Sequence, residues 1–143
     1  MKFLTASLTH PGMVRDANED AIAVFEGETI WIVVDGMGGH SSGQLASRMA
    51  VQYAADFMLR WRLQPDFVWP FDVDSGTPYS AASLVNALRV ANVRIYNRAQ
   101  VDESCESMGT TAVMLHYDED GQMVIAHVGD SRCYRLREGE LQQ

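Results

Sequence analysis

The sequence lacks any apolar run of about 20 residues, the length that a helix needs to cross a bilayer. Residues 1–6 contain one lysine but no apolar stretch of about 7–15 residues, so we expect no secretory signal peptide. The two cysteines, Cys105 and Cys133, form no CxxC pair or other metal-ligand spacing. These absences predict a cytoplasmic protein with two free thiols and no membrane partner.

Basic residues are also few. Eleven Lys and Arg stand against 19 Asp and Glu, which gives a formal net charge of −8. This balance argues against nucleic acid as a partner, because phosphate backbones are bound through clusters of Lys and Arg. The composition, 47% hydrophobic and 21% charged, fits a globular domain or part of a larger one. An acidic chain can nevertheless bind phosphate when metal ions supply the positive charge.

Hydrophobic periodicity predicts an α+β protein. The predicted helices cover residues 44–62 and 80–100, the second capped by Ser80, and the predicted strands cover residues 3–9, 20–26, 29–35, 110–117, 122–128 and 133–136. The run at 29–35 is apolar on both faces, which suggests a central strand that is covered on both sides. Hairpin signals between the strands favour antiparallel sheets with helices on a face over a parallel doubly wound fold.

The first cluster with residues for chemistry is Asp35 and the five residues after it, GMGGH. A carboxylate at the end of a buried strand, followed by glycines, can project into a crevice that a ligand approaches closely. Mg²⁺ and Mn²⁺ prefer such oxygen ligands. Taken alone, a simple Asp-Gly turn explains this motif equally well.

Two further clusters combine charge with strand ends. Residues 15–20, RDANED, place a guanidinium and three carboxylates just before a strand. They could serve a metal and a phosphate, or form a solvated ion pair of little energetic weight. Residues 109–112, GTTA, and 128–134, VGDSRCY, form the third cluster, in which an apolar strand again runs into Gly-Asp. A tight turn is the alternative there.

Other phosphate sites fail on spacing. Gly38 and Gly43 have the glycine interval of a P-loop, but Gln44 follows where that motif needs lysine. A GxGxxG dinucleotide fingerprint starting at Gly36 would need glycine where Ser41 stands. Neither cysteine has an arginine six positions later, as the loop of the cysteine phosphatases requires.

Together, the ordered motifs RxxNED, VDGMGGH, GTTA and VGDSRxY resemble the metal-dependent protein phosphatases of type 2C in their bacterial form. The resemblance covers about residues 7–141 and makes residues 1–143 the N-terminal part of a single catalytic domain. It implies a four-layer α-β-β-α sandwich of two antiparallel sheets flanked by helices, incomplete in this chain. It also implies hydrolysis of phosphoserine and phosphothreonine in the protein substrates of Ser/Thr kinases, with two Mn²⁺ or Mg²⁺ ions and a metal-bridging water as the nucleophile.

The resemblance also implies roles for six residues. Asp35 is expected to bridge both metals and Arg15 to grip the substrate phosphate, and these two are the expected catalytic residues. Four more are expected at the metal centre. Glu19 and Asp20 are expected to hold metal-bound waters, and Gly36 to bind a metal through its backbone carbonyl. Asp130 is expected to belong to a weaker third metal site.

The sequence departs from the family pattern in two ways. Met37 stands where some members have a histidine thought to protonate the leaving group, and His40 is not assigned that role. The later Ser-Asp-Gly and closing Asp-Asn motifs, which supply metal carboxylates, are absent from the 143 residues. Two hypotheses therefore stand: part of an active phosphatase, or a truncated non-catalytic module that binds phosphoproteins or another partner. A truncated chain would be expected to self-associate or to pair with the missing half.

Overall fold

The structure is a computed structural model that describes residues 2–39, 41–64 and 66–143. Two long helices follow two strands and precede five more. The helices are α1 (Ser41–Leu63) and α2 (Tyr79–Val101), and the strands are β1 (Asp20–Phe25), β2 (Ile30–Met37), β3 (Gly109–Thr110), β4 (Ala112–Tyr117), β5 (Met123–Val128), β6 (Arg135–Arg137) and β7 (Glu140–Gln142). Short 3₁₀ turns lie at Glu26–Glu28 and Glu103–Cys105.

The main sheet has five antiparallel strands in the order β1-β2-β4-β5, with β3 continuing the pairing along the end of β2. Strands β6 and β7 form a separate hairpin. Ala23, Ile32, Met114 and Ala126 lie side by side across the four long strands, which fixes the register. This register brings the end of β2 against the start of β1.

Both helices pack on one face of the main sheet. Ile30, Ile32 and Val34 alternate along β2 and are fully buried beneath the helices. Each such side chain contributes about 1.5–3 kcal/mol by leaving water. From α1 the deepest residues include Ala46 and Ala54, whose small side chains let the helix lie close to the sheet.

The described residues cover the opposite face of the sheet only in part, so the predicted double coverage of residues 29–35 is wrong. Val33 points away from the helices and is 49% exposed. Part of this face is crossed by the N-terminal segment, where Phe3 packs edge-on against Trp31 and Tyr117 with ring centroids 5.0 and 5.1 Å apart. Thr5 accepts a hydrogen bond from the Trp31 indole at 3.1 Å. Residues 3–9 form no strand, contrary to prediction, since they lie over side chains instead of pairing along an edge.

The α+β class with antiparallel pairing is confirmed, and the chain supplies a helix layer, the main sheet and one hairpin of the expected sandwich. Several boundaries differ. Helix α1 begins three residues earlier than predicted, and Ser80 lies inside α2, which begins after Pro78. The predicted strand 110–117 is divided at Thr111, and the strand predicted at 133–136 occupies Arg135–Arg137.

Cys105 and Cys133 are both free, as predicted. In the described parts of the chain, neither helix is apolar enough over sufficient length to span a bilayer.

Candidate active site

The first two carboxylates of the site face each other across a strand pair. Asp35, near the end of β2, is the register partner of Asp20 at the start of β1. The backbone of Asp35 is held from the other side: its N–H donates to the Thr111 hydroxyl at 3.2 Å, and its carbonyl accepts from the Thr111 N–H and the Thr110 hydroxyl, both at 2.9 Å. Because three hydrogen bonds fix the backbone, the Asp35 carboxylate starts from a defined position.

The electrostatics at Asp35 are those of crowded carboxylates. Partial burial raises the pKa of Asp35 above its ordinary value, and the neighbouring charge of Asp20 raises the pKa further. Asp130 adds to this increase, whereas Arg15 opposes it. Such a group of like charges is stabilised when a cation binds among them.

Gly36 lies where two backbone segments meet. Its N–H donates to the Glu19 carbonyl at 3.1 Å, and a Cβ built on Gly36 would lie 2.1 Å from the Gly43 carbonyl oxygen and 2.6 Å from that of Glu19. Only glycine fits there, because both neighbours are backbone atoms. The RxxNED segment, β2 and the start of α1 are thereby locked together.

Gly36→Ala is expected to destabilise the fold by about 3 kcal/mol or more, since the backbone atoms it would strike cannot rotate away. Thermal unfolding followed by circular dichroism should show Tm lowered by at least about 5 °C. Gly27→Ala is the matched control, because a Cβ at Gly27 meets nothing within 4 Å. Equal melting of the two variants would show that the close approach at Gly36 is not maintained in solution.

Glu19 is the most enclosed acid of the group. Its side chain is 11% exposed, and Arg15 lies 3.7 Å away as an ion-pair partner. Its Oε1 atom is buried with no hydrogen-bond partner among the described residues, while a Cβ on Gly43 would lie 2.8 Å from it. A buried carboxylate oxygen without a partner is costly, and a bound cation or its water would satisfy it.

Asp130 reaches the same end of the sheet through a turn after β5. Gly129 adopts a φ of +92°, and its Cα packs against Thr111 so closely that a Cβ would lie 2.8 Å from that side chain. The Ser131 and Thr111 hydroxyls are 2.6 Å apart and hydrogen-bonded. Thr111 therefore connects the Asp35 backbone to the Asp130 turn.

The residues present fit an oxygen-ligated divalent cation, but they form only part of a ligand set. Asp20, Asp35 and Glu19 offer hard oxygen donors, and one oxygen is already stripped of water. However, no group of three or more His, Cys, Asp or Glu side chains within residues 2–39, 41–64 and 66–143 converges closely enough to hold a metal. The remaining oxygens have to come from water or from other parts of the protein.

Sequence reasoning missed two residues that organise this site. The GTTA motif assigns no role to Thr111, which fixes the Asp35 backbone, and the glycine spacing gives no role to Gly43, which packs against Gly36 and Glu19. The signal for Thr111 is the pair of adjacent threonines that directly precedes the apolar run of β4. Met37 is exposed at the end of β2, and His40 lies outside the described residues.

Comparisons with known proteins identify the family. The family model for protein phosphatase 2C matches residues 14–143. The chain is 35% identical over 138 residues to the serine/threonine phosphatase Stp of Listeria welshimeri, covering 94% of this chain and 50% of Stp. It is 32% identical over 138 residues to the serine/threonine protein phosphatase PstP of Mycobacterium tuberculosis, covering 96% of this chain and 24% of PstP. The chain thus spans half the length of one relative and about a quarter of the other.

Solved structures give the same result. The catalytic domain of PstP in complex with two manganese ions superimposes with a TM-score of 0.72 at 31% identity, over 92% of this chain and 50% of that one. The similarity confirms the α+β fold and the resemblance carried by the four motifs. The chain belongs to the protein phosphatase 2C family.

Proposed function

We propose that the complete domain containing this chain hydrolyses phosphoserine and phosphothreonine in proteins. The observation that carries the proposal is the crowding of Asp35 against Asp20 at the end of β2. The neighbouring residue Glu19 adds a buried oxygen, Oε1, that has no hydrogen-bond partner among the described residues. This arrangement suits a cation-dependent reaction on an anionic substrate. The manganese ions in the PstP structure support a requirement for Mn²⁺ or Mg²⁺.

Each residue of the candidate site then has a defined role in the reaction. Asp35 presents its carboxylate from a backbone fixed by Thr110 and Thr111, and Gly36 keeps the surrounding backbone close enough for its own carbonyl to contribute. Glu19 and Asp20 supply acceptors for bound water on the outer side of the site. When bound, two divalent cations would lower the pKa of a water molecule and neutralise charge on the phosphate.

Arg15 is suited to hold the substrate phosphate. Its side chain is 69% exposed, and among the described residues its one ion-pair partner is Glu19, at 3.7 Å. A guanidinium in that position can turn toward a phosphate and bind it with two parallel N–H donors. Substrates are accordingly phosphorylated proteins, the products of Ser/Thr kinases, and we place the reaction in the cytoplasm.

The alternative is a non-catalytic module that binds phosphoproteins or another partner. It is favoured by one observation: the carboxylates of the described residues do not by themselves complete a metal site. A protein of this kind would retain the phosphate contact through Arg15 and lack turnover. The coding sequence beyond Gln143 distinguishes the two, because only the enzyme needs in-frame Ser-Asp-Gly and Asp-Asn motifs.

Arg15→Ala in the complete domain tests the proposal. Losing one preorganised donor to the phosphate should lower kcat/KM for a phosphothreonine peptide by on the order of 10²-fold, or about 3 kcal/mol. Mn²⁺ affinity, measured by calorimetry, should change little. Arg60→Ala, an exposed arginine in the last turn of α1, is the control and should retain normal turnover. Weakened Mn²⁺ binding with unchanged kinetics would instead make Arg15 a structural partner of Glu19.

A further inference from the structure

A cavity separate from the candidate active site lies at the far end of the sheet from Asp35. It has a volume of about 500 Å³ and is lined by Trp61 of α1, Tyr79 of α2, His116 of β4 and the β4–β5 turn. His116 pairs with Ile30, five residues before Asp35 on β2, so the two sites are about 17 Å apart along the sheet. The cavity is large enough for a small organic ligand. Nothing in the proposed phosphatase reaction uses these residues.

Aromatic rings form one wall of the cavity. The ring centroids of Trp61 and Tyr79 are 5.5 Å apart, and Tyr79 is 61% exposed. Trp69 supports both rings from outside the cavity, at 6.4 Å from Trp61 and 5.0 Å from Tyr79. Aromatic faces attract cations through their quadrupole, and tryptophan does so most strongly.

Three acidic residues also line the cavity. Asp118, Glu119 and Asp120, in the turn between β4 and β5, all line the cavity. The Gln122 backbone N–H donates to Asp118 at 2.8 Å and lowers the pKa of that carboxyl, which keeps Asp118 ionised. The one basic residue in the lining, Arg62, is already occupied by the Glu28 carboxylate at 3.5 Å and the Glu28 carbonyl at 2.6 Å.

His116 closes the cavity with a hydrogen-bond acceptor. It is 3% exposed, and its Nδ1 donates to the Thr29 carbonyl at 3.2 Å. Burial lowers the pKa of His116, so the ring is neutral and its Nε2 carries a lone pair. Within the described residues no side chain or backbone group hydrogen-bonds to Nε2. The cavity therefore combines aromatic rings, excess negative charge and a neutral imidazole in its lining, whose Nε2 is hydrogen-bonded to no described residue.

We propose that this cavity binds a protonated alkylamine, with the ammonium N–H donating to His116 Nε2 and the alkyl chain lying against Trp61 and Tyr79. An amine with N–H groups fits better than a quaternary ammonium, because only the former can donate to the histidine lone pair. The same chemistry is offered by a free amine and by a lysine side chain of a partner protein. The site is independent of the hydrolytic site and of the function proposed for it.

The test uses NMR of the tryptophan indole N–H signals of the complete domain, assigned by Trp→Phe variants, during titration with n-butylammonium. Saturable shifts are expected for Trp61, while Trp31 reports the opposite face of the sheet and should not move. Butan-1-ol, which has the same shape without the charge, should produce no saturable shift. Comparable shifts with butan-1-ol, or none with the amine, would overturn the proposal.

Variants locate the binding. Tyr79→Ala should weaken n-butylammonium affinity about three- to tenfold, and Tyr96→Ala, an equally exposed tyrosine of the same helix outside this cavity, should leave it unchanged. Neutralising Glu119 and Asp120 together as Glu119→Gln and Asp120→Asn should weaken it by a similar factor. Equal losses in Tyr79→Ala and Tyr96→Ala would contradict the proposed site.

A second arm identifies the source of the amine. A short peptide with one lysine is compared with the same peptide carrying N-acetyl-lysine, which has lost the charge. Tighter binding of the lysine peptide than of n-butylammonium assigns the cavity to a partner protein, and weaker binding assigns it to a free amine. Equal binding of the acetylated and unmodified peptides would show that the cavity does not recognise an ammonium group.

Discussion

Asp35→Asn in the complete domain is expected to abolish metal-dependent hydrolysis of a phosphothreonine peptide. In the proposed site Asp35 would hold the cations, and a neutral amide is a much weaker ligand for a dication than a carboxylate. The Asp35 backbone is fixed by hydrogen bonds with Thr110 and Thr111, so the substitution changes the side chain alone. A loss of at least on the order of 10³-fold in kcat, about 4 kcal/mol or more, is expected in steady-state phosphate release. Manganese affinity should fall in parallel, which calorimetry would measure.

The control for this prediction is Asp56→Asn, an exposed carboxylate on α1 that lies away from the strand end. Its turnover and Tm should match those of the parent protein. The Asp35 variant should also keep its Tm, because the side chain is exposed and Asn preserves the backbone hydrogen bonds. Near-normal turnover in Asp35→Asn would remove Asp35 from the reaction and with it the proposed site.

The 143-residue chain by itself is expected to be inactive and to hold metal poorly. Two dications about 4 Å apart repel by roughly 16 kcal/mol at an effective dielectric of about 20, four times the value for unit charges. Several carboxylates must offset this, and the described residues bring no three acidic or histidine side chains together. Calorimetry with Mn²⁺ should show weak binding, and a phosphopeptide assay should show only background release.

The same chain is expected to associate with itself or with the other half of the domain. The open face of the main sheet exposes Val33, Met123 and Ile125, and among the described residues no strand pairs with the outer edge of β5. Light scattering should report species larger than a monomer, and adding the second half of a relative's domain should return the chain to a defined complex. Tight binding of two ions with robust turnover by a monomeric chain would contradict both expectations.

The parts of the fold that could be predicted are those in which local pattern and tertiary environment agree. β2 contains an unbroken apolar run that ends in Asp-Gly, and α2 buries Leu84, Ala91 and Ile95 at helical spacing. The Asp118–Gly121 turn was also predictable, because a glycine with φ of +80° closes it. In these segments sequence spacing alone defines the buried face.

Coverage of the second sheet face could not be predicted from periodicity. The apolar residues on both faces of β2 suggested two covering layers, yet the described residues cover only one fully. Phe3 lies across the open face and contacts Trp31 and Tyr117. The apolar residues of its segment resemble those of a strand, but they pack on side chains and the segment pairs with no described strand. A local run of apolar residues indicates that a strand prefers to be covered, but it does not indicate which part of the protein covers it.

The candidate site was only partly visible in the sequence. The motifs indicated Asp35, Glu19 and Asp20, and the register of β1 on β2 brings the two aspartates opposite each other. Thr111 is hydrogen-bonded to Asp35, 76 residues earlier in the chain, and to Ser131, 20 residues later. No local sequence pattern predicts contacts between residues so far apart. The distal cavity was missed for the same reason, since Trp61 and His116 belong to different elements and meet only after packing.

The most direct test of the account is phosphate release from a phosphothreonine peptide by the complete domain, with Mn²⁺ and after chelation. The account predicts turnover with Mn²⁺, its loss on chelation and its return when Mn²⁺ is restored, because the crowded carboxylates around Asp35 need a cation to act on an anionic substrate. Turnover that survives complete chelation, or a folded, Mn²⁺-bound domain that releases no phosphate, would contradict it.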